Sequence, residues 1–252
     1  MISPPSSWHA YAEQASSPPP GPLPAPSRLE WTARPGVGPG VEAFGRSVRG
    51  LSLLELGCGA GRNAAHLAHE QHASVIALDS VDLQIRRAKD HYDHLRGTTY
   101  VTCDALRFLR SGDGRFDAVY SVFGAVGLVD PEILLPAIAR RLNPSRPLVF
   151  SVPHPRRAGR PSGTAHRART DFLALPDGTR RPVVRWELDI PQWSEVLGRA
   201  GFHLREALEF DDPGNAGTPS TLLISARRFL MTGVRPERRG AASRPPSPPA
   251  SR

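Results

Sequence analysis

Three glycines, Gly57, Gly59 and Gly61, fall within the stretch LELGCGAGRN, directly after the apolar run LSLLEL. Glycine weakens strands and helices, so clustering three of them adds nothing to stability. It does suit ligand binding. Gly57 permits a tight turn, while Gly59 and Gly61 let the backbone approach a ligand and let the next helix pack close. The helix that starts at Arg62-Asn63 offers unpaired N–H groups and a positive dipole end to an anion such as a carboxylate. Asp79 ends the next apolar run, about 20 residues further on, where a carboxylate takes both hydroxyls of a ribose. His154, in SVPHP, is the candidate general base, flanked by Pro153 and Pro155; its plainer reading is a hydrogen-bonded loop histidine with no chemical role. His66 and His69 share one helix face and His72 follows, but no carboxylate or cysteine completes a metal site. That run, and HYDHL at 91–95, therefore read as solvated helix faces, and no metal is expected. Cys58 reads as a small buried residue, not a nucleophile.

The elements that must position these residues alternate. Short apolar runs at 51–56, 73–79, 98–105, 116–124 and 146–152 read as buried strands. Between them lie helical patterns at 62–70 and 81–95, the latter with Ser80 as its expected N-cap. A third helix opens on Asp130-Pro131-Glu132 as N-cap, first-turn proline and dipole-favoured acid, with a kink or late start expected from Pro136. Buried strands joined by amphipathic helices make right-handed βαβ units, hence a doubly wound, mostly parallel α/β sheet. The ending differs. IPQWSEVLGRAGF places Trp193, Val196, Leu197 and Ala200 on one helical face and stops at Gly201. HLREALEF and TLLISARR follow with no room for a crossover helix, so an antiparallel hairpin completes seven strands.

These residues closely resemble the successive motifs of class I S-adenosylmethionine-dependent methyltransferases: LLELGCGAGRN, then Asp79 after VIAL, then Asp104-Ala105 after YVTC, then FDAVYSVF, then RAGF before the hairpin. The resemblance spans roughly residues 46–226, and GVGPG with SVFGAVGLVDPEILLPAIARRL is similar to small bacterial methyltransferases with type 11/25-like domains. It implies a Rossmann-like methyltransferase fold with S-adenosylmethionine (SAM) as cofactor. It also implies roles residue by residue. Glu55, Gly57, Cys58, Gly59 and Gly61 shape the loop around the methionine moiety, and Asp79, followed by Ser80, holds the ribose. Asp104 accepts from the adenine amino group and the Ala105 N–H meets a ring nitrogen. Ser121, Val122 and Phe123 line the wall between cofactor and acceptor. A dinucleotide fold competes on pattern alone, but its third glycine would stand at position 62, which is Arg62.

The net charge of +8 is not spread over the body. Residues 156–185 and 227–252 together carry about +12, leaving the remainder near −4, and Lys89 is the single lysine, so the arginine excess reads as codon bias. The Arg-rich insertion, 154–183, is the expected acceptor site, able to grip an acidic acceptor or else simply solvated. Phe172 is its one aromatic, so nothing there favours nucleic acid. Residues 1–45 read as a partly ordered arm that acts as a lid, 46–228 as the methyltransferase domain, and 229–252 as a disordered Pro/Arg-rich tail. No run is apolar enough to span a membrane and no signal peptide is evident, so a cytoplasmic protein is expected. The implied reaction is methyl transfer to a small-molecule O or N nucleophile. The alternatives are an RNA or protein methyltransferase using the Arg-rich loop, or a SAM-binding protein without catalysis.

Overall fold

A computed structural model describes residues 6–16, 18–45, 47–157, 167–212 and 214–229, apart from the side chains of 215 and 216. The tail expected at 229–252, save Phe229, and the centre of the Arg-rich insertion, 158–166, lie outside the described residues. A helix, α1 (Ser7–Gln14), opens the chain, capped by the Ser6 side chain. Then come β1 (Ser52–Leu56), α2 (Arg62–His69), β2 (Ser74–Asp79), α3 (Asp82–Tyr92), β3 (Thr98–Thr102), α4 (Ala105–Arg110), β4 (Ala118–Val122), α5 (Pro131–Arg141) and β5 (Pro147–Pro153). The chain continues through β6 (Ala168–Ala174), β7 (Arg180–Trp186), α6 (Ile190–Arg199), β8 (Phe202–Asp212) and β9 (Asn215–Arg228).

Seven strands form one sheet in the order β3-β2-β1-β4-β5-β9-β8. The first five are parallel, and β9 is antiparallel to both β5 and β8. The two-residue side-chain period of a strand sorts the core into two layers. Leu54, Leu56, Val119, Leu148 and Phe150 point to the face covered by α4, α5 and α6, where Ile138 and Trp193 meet them. Leu53, Ala118, Tyr120 and Val149 point to the other face, under α2, α3 and residues 29–48. The strand order reverses between β1 and β4, and a crevice opens there beyond the carboxyl ends of the strands.

Several local expectations change. Ser80 does not cap α3; the N-cap is Val81, whose N–H donates to Asp79 Oδ1 at 2.8 Å. Helix α5 starts at Pro131 with Asp130 as its cap and runs through Pro136, so there is no late start. The long loop expected at 154–183 is in its described part an antiparallel hairpin, β6–β7, that stands apart from the main sheet. The segment after α1 is not loose. Leu29 and Trp31 are fully buried, and Trp31 packs edge-on against Phe44 and Tyr120 while its Nε1–H donates to the Gly40 carbonyl.

That packing also alters two histidines read as solvated. His66 is buried with Nδ1 2.7 Å from the Pro26 carbonyl oxygen, and His91 is buried with Nδ1 3.0 Å from that of Gly21. The helix faces that would have been wet are covered by the N-terminal segment, and the imidazoles pair with its backbone.

Candidate active site

A cavity of about 690 Å³ occupies the crevice. Its floor is the turn after β1. Gly57 and Cys58 both donate their N–H to the Leu78 carbonyl, at 2.8 and 2.7 Å, which ties the turn to the end of β2. The three glycines do different work. A Cβ on Gly57 would lie 2.7 Å from the Gly124 Cα, so the turns after β1 and β4 touch because neither carries a side chain there. Gly59 has φ +54°, and a Cβ on it would meet nothing within 4 Å: the bare backbone faces open cavity. Gly61 does not line the cavity. It is the left-handed N-cap of α2, and a Cβ on it would lie 2.7 Å from Tyr100 and 2.8 Å from Ala88.

Asp79 lies at the cavity with Oδ2 accepting from the Gly59 N–H at 2.9 Å and Oδ1 from that of Val81. Burial raises its pKa and the two N–H donors oppose the rise. Each oxygen keeps a lone pair for a further donor. Glu55 is buried beneath α2 and accepts from the Tyr120 hydroxyl at 3.0 Å. Burial pushes its pKa up to about 8, with Asp79 adding to the rise, so the carboxyl is largely protonated at neutral pH. Burial also holds the Cys58 thiol well above its ordinary value, which excludes a thiolate nucleophile. Asp104 caps α4, its Oδ1 accepting from the Arg107 N–H at 2.9 Å, and Ala105 opens that helix at the cavity edge. Ser80 and Val122 line the cavity as well.

Ser121 and His154, by contrast, are not in the cavity. Ser121 is fully buried behind its wall, the hydroxyl donating to the Leu56 carbonyl at 2.8 Å, because its position in the period of β4 turns it away. His154 is 2 % exposed, with Nε2 2.8 Å from Glu209 Oε1 and Nδ1 accepting from the Arg156 N–H. Both ring nitrogens are engaged on the β8 side of the sheet, and the imidazole holds the Glu209 carboxyl below its usual range. No histidine or lysine lines the cavity among the described residues.

Two arginines of the Arg-rich insertion, where an anion grip is expected, are already paired with carboxylates. Arg156 reaches Glu209 at 3.1 Å, and Arg157 pairs with Asp171 and Glu187. Arg160 lies outside the described residues. Among those residues no group of three or more His, Cys, Asp or Glu side chains is arranged to hold a metal ion. No helix among them is long and apolar enough to cross a membrane.

The cavity gains two walls that the motifs did not reveal. Residues 26–32 bring Arg28, Glu30 and Thr32 to it, fixed by Asn63, whose amide pairs with both the N–H and the carbonyl of Glu30 at 3.2 Å. Arg28 Nε is buried with no hydrogen-bond partner among the described residues and lies 3.9 Å from Glu30 Oε2. Opposite, α1 and β7 form a roof. Ser7 donates to the Pro182 carbonyl at 2.8 Å, and Arg87 of α3 donates to that of Ala12, so α1 bridges the hairpin and α3. Phe123, at φ +50°, turns the chain out of β4 into this space. The one sequence signal for these walls was the cluster of aromatics at Trp8, Tyr11 and Trp31, which carries no periodicity.

Known proteins share this architecture. Residues 53–145 match the methyltransferase domain family. A sterol 24-C-methyltransferase of Yarrowia lipolytica is 32% identical over 99 residues, covering 38% of this chain and 26% of its own. An O-methyltransferase of Pyrenophora dematioidea is 30% identical over 173 residues, covering 64% of this chain and 57% of its own. The chain thus spans between about a quarter and about three fifths of the length of these two curated relatives. A SAM-dependent methyltransferase structure from Mesorhizobium loti superposes with a TM-score of 0.56 at 25% identity, covering 73% of this chain and 93% of the other. The glycine turn, the acids at the ends of β2 and β3, the strand order and the match over 53–145 converge on a single assignment: the chain carries a methyltransferase domain in the fold of SAM-dependent methyltransferases.

Proposed function

We propose that this protein binds SAM across the carboxyl ends of β1, β2 and β3 and transfers its methyl group to a small-molecule O or N nucleophile. One observation carries the reading: the open backbone at Gly59, the Asp79 carboxylate and the capped start of α4 face a single cavity. Asp79 accepts from the ribose hydroxyls with the lone pairs that Gly59 and Val81 leave free. Asp104 spends one oxygen on capping α4 and keeps the other for the adenine amino group, beside the Ala105 N–H. Arg28 and Glu30 set opposite charges against the two ends of the methionine zwitterion, which satisfies the orphaned Arg28 Nε.

Bound there, SAM supplies a methyl group on a sulfonium, an electrophile that needs an aligned nucleophile and dry surroundings more than a triad. The chain provides both. The turn after β4 and the roof of α1 and β7 orient the acceptor, and α1, bridging the hairpin and α3, excludes water as a lid. A small acceptor also accords with the sterol and O-methyl relatives. The pairing of Arg156 and Arg157 with carboxylates takes two of the insertion's arginines out of a polyanion grip. Cys58 and Cys103 are free thiols, which suits a reducing cytoplasm. Incubation of the full chain with methyl-labelled SAM and separate metabolite, RNA and protein fractions tests this. Label is expected in the metabolite fraction; label confined to RNA or protein overturns the small-molecule acceptor.

A further inference from the structure

The residues read above as holding the cofactor stand over β1, β2 and β3, so the part of the cavity beside β4 is left to the acceptor. This inference rests on that reading. Trp8 and Tyr11 of α1 wall that part, with Phe123, Leu128 and Val129 after β4 and Val183 of β7. These side chains offer mainly carbon and aromatic surface. Two polar groups of the roof are spent within the protein. Ser7 donates to Pro182, and Arg185 directs Nε to Asp171 at 3.0 Å. The Arg185 guanidinium lies 5.4 Å from the Trp8 ring centroid, and Tyr11 meets the same ring edge-on at 6.3 Å. Trp8 is therefore pinned on two sides while still lining the cavity. A cation against an indole face draws on its π density, and such a ring pairs best with an electron-rich partner ring.

We propose that the β4 end of the cavity binds a flat, uncharged aromatic acceptor, and that Trp8, pinned by Arg185 and Tyr11, selects it. The competing occupant is an anion gripped by Arg28 and Arg62 on the α2 side of the cavity.

Three probes on one carbon skeleton decide between them: naphthol, naphthyl phosphate and decahydronaphthol. Each is titrated by calorimetry into the full chain saturated with S-adenosylhomocysteine (SAH). Naphthol should bind at least about five-fold more tightly than its saturated counterpart, the factor an aromatic pair supplies. It should also bind more tightly than naphthyl phosphate. Trp8→Leu should erase the preference over decahydronaphthol and Trp8→Phe should keep most of it, both with SAH affinity unchanged, which reports an intact fold. Tighter binding of the phosphate, equal binding of the flat and saturated alcohols, no binding of naphthol, or a preference that survives Trp8→Leu overturns the proposal. A wild-type chain that binds no SAH fails the cofactor reading itself and takes this inference with it; the other failures occur with SAH bound.

Discussion

Alanine at Gly61 and alanine at Gly59 should fail in different ways, although the two positions differ by two in sequence and share a left-handed backbone. At Gly61 the added Cβ would sit 2.7 Å from a Tyr100 ring carbon and 2.8 Å from the Ala88 Cβ, neither of which is the free end of a flexible chain. Overpacking of this kind costs about 1–3 kcal/mol, and a left-handed non-glycine residue about 1–2 more. Gly61→Ala should therefore lose about 3 kcal/mol of stability, which in a domain of this size lowers Tm by about 10 °C. At Gly59 the Cβ meets nothing within 4 Å, so only the conformational cost of about 1–2 kcal/mol applies. That Cβ projects into the cavity where the methionine moiety is proposed to lie, so Gly59→Ala should weaken SAH binding at least about ten-fold, the equivalent of one lost close contact and its hydrogen bond. Thermal unfolding and calorimetric titration with SAH on both variants measure the two effects. A Gly59→Ala chain that binds SAH like wild type, or a Gly61→Ala chain of wild-type stability, would refute the division of labour.

Other substitutions probe the remaining assignments. Glu55 keeps its proton in the folded state up to about pH 8 but loses it near 4.5 when unfolded, so the folded state binds the extra proton between those values and stability falls as pH rises through that window. Glu55→Gln should flatten that fall, as read by urea unfolding from pH 4 to 9, and an unchanged slope would contradict the buried protonated acid. His154→Gln should cost about 1–2 kcal/mol through the lost Glu209 contact while leaving the pH profile of methyl transfer unchanged; a lost alkaline or acidic limb would restore it as a base. Arg157→Ala breaks a buried ion pair and should cost about 3 kcal/mol with SAH affinity intact. Arg28→Ala should weaken SAH but not methylthioadenosine, which lacks the amino-acid end; equal losses would place Arg28 elsewhere.

The parallel sheet was legible because its strands are short runs, β1 to β4 closed by a glycine or an acid, and because buried strands force helical crossovers. The cavity floor was legible for the same reason: Gly57, Gly59, Asp79 and Asp104 all stand at strand ends. What was not legible depends on partners distant in sequence. His154 follows β5 at the chain position where a base is expected, but Glu209, 55 residues away, claims its ring and holds it outside the cavity. Ser121 occupies a motif position, yet the two-residue period of β4 turns it from the cavity. The β6–β7 hairpin hides in an arginine-rich stretch, and its Asp171 is buried between Arg157 and Arg185, where a sequence suggests solvated charge. The segment from Leu29 to Phe44 shows no strand or α-helical period, since it packs on the sheet face beneath it as a loop ending in one short 3-10 helix, Gly40–Phe44.

The turn from Gly57 to Gly59 and the Asp79 carboxylate are assigned here as one SAM site. Calorimetric titration of the full chain with SAH, and separately with NADH, tests it most directly, run beside Asp79→Ala. One SAH site per chain is expected, with no NADH binding and an affinity for SAH that falls by about ten-fold in Asp79→Ala as a buried hydroxyl pair loses its acceptor. Binding of NADH without SAH, or an SAH affinity indifferent to Asp79, would contradict it.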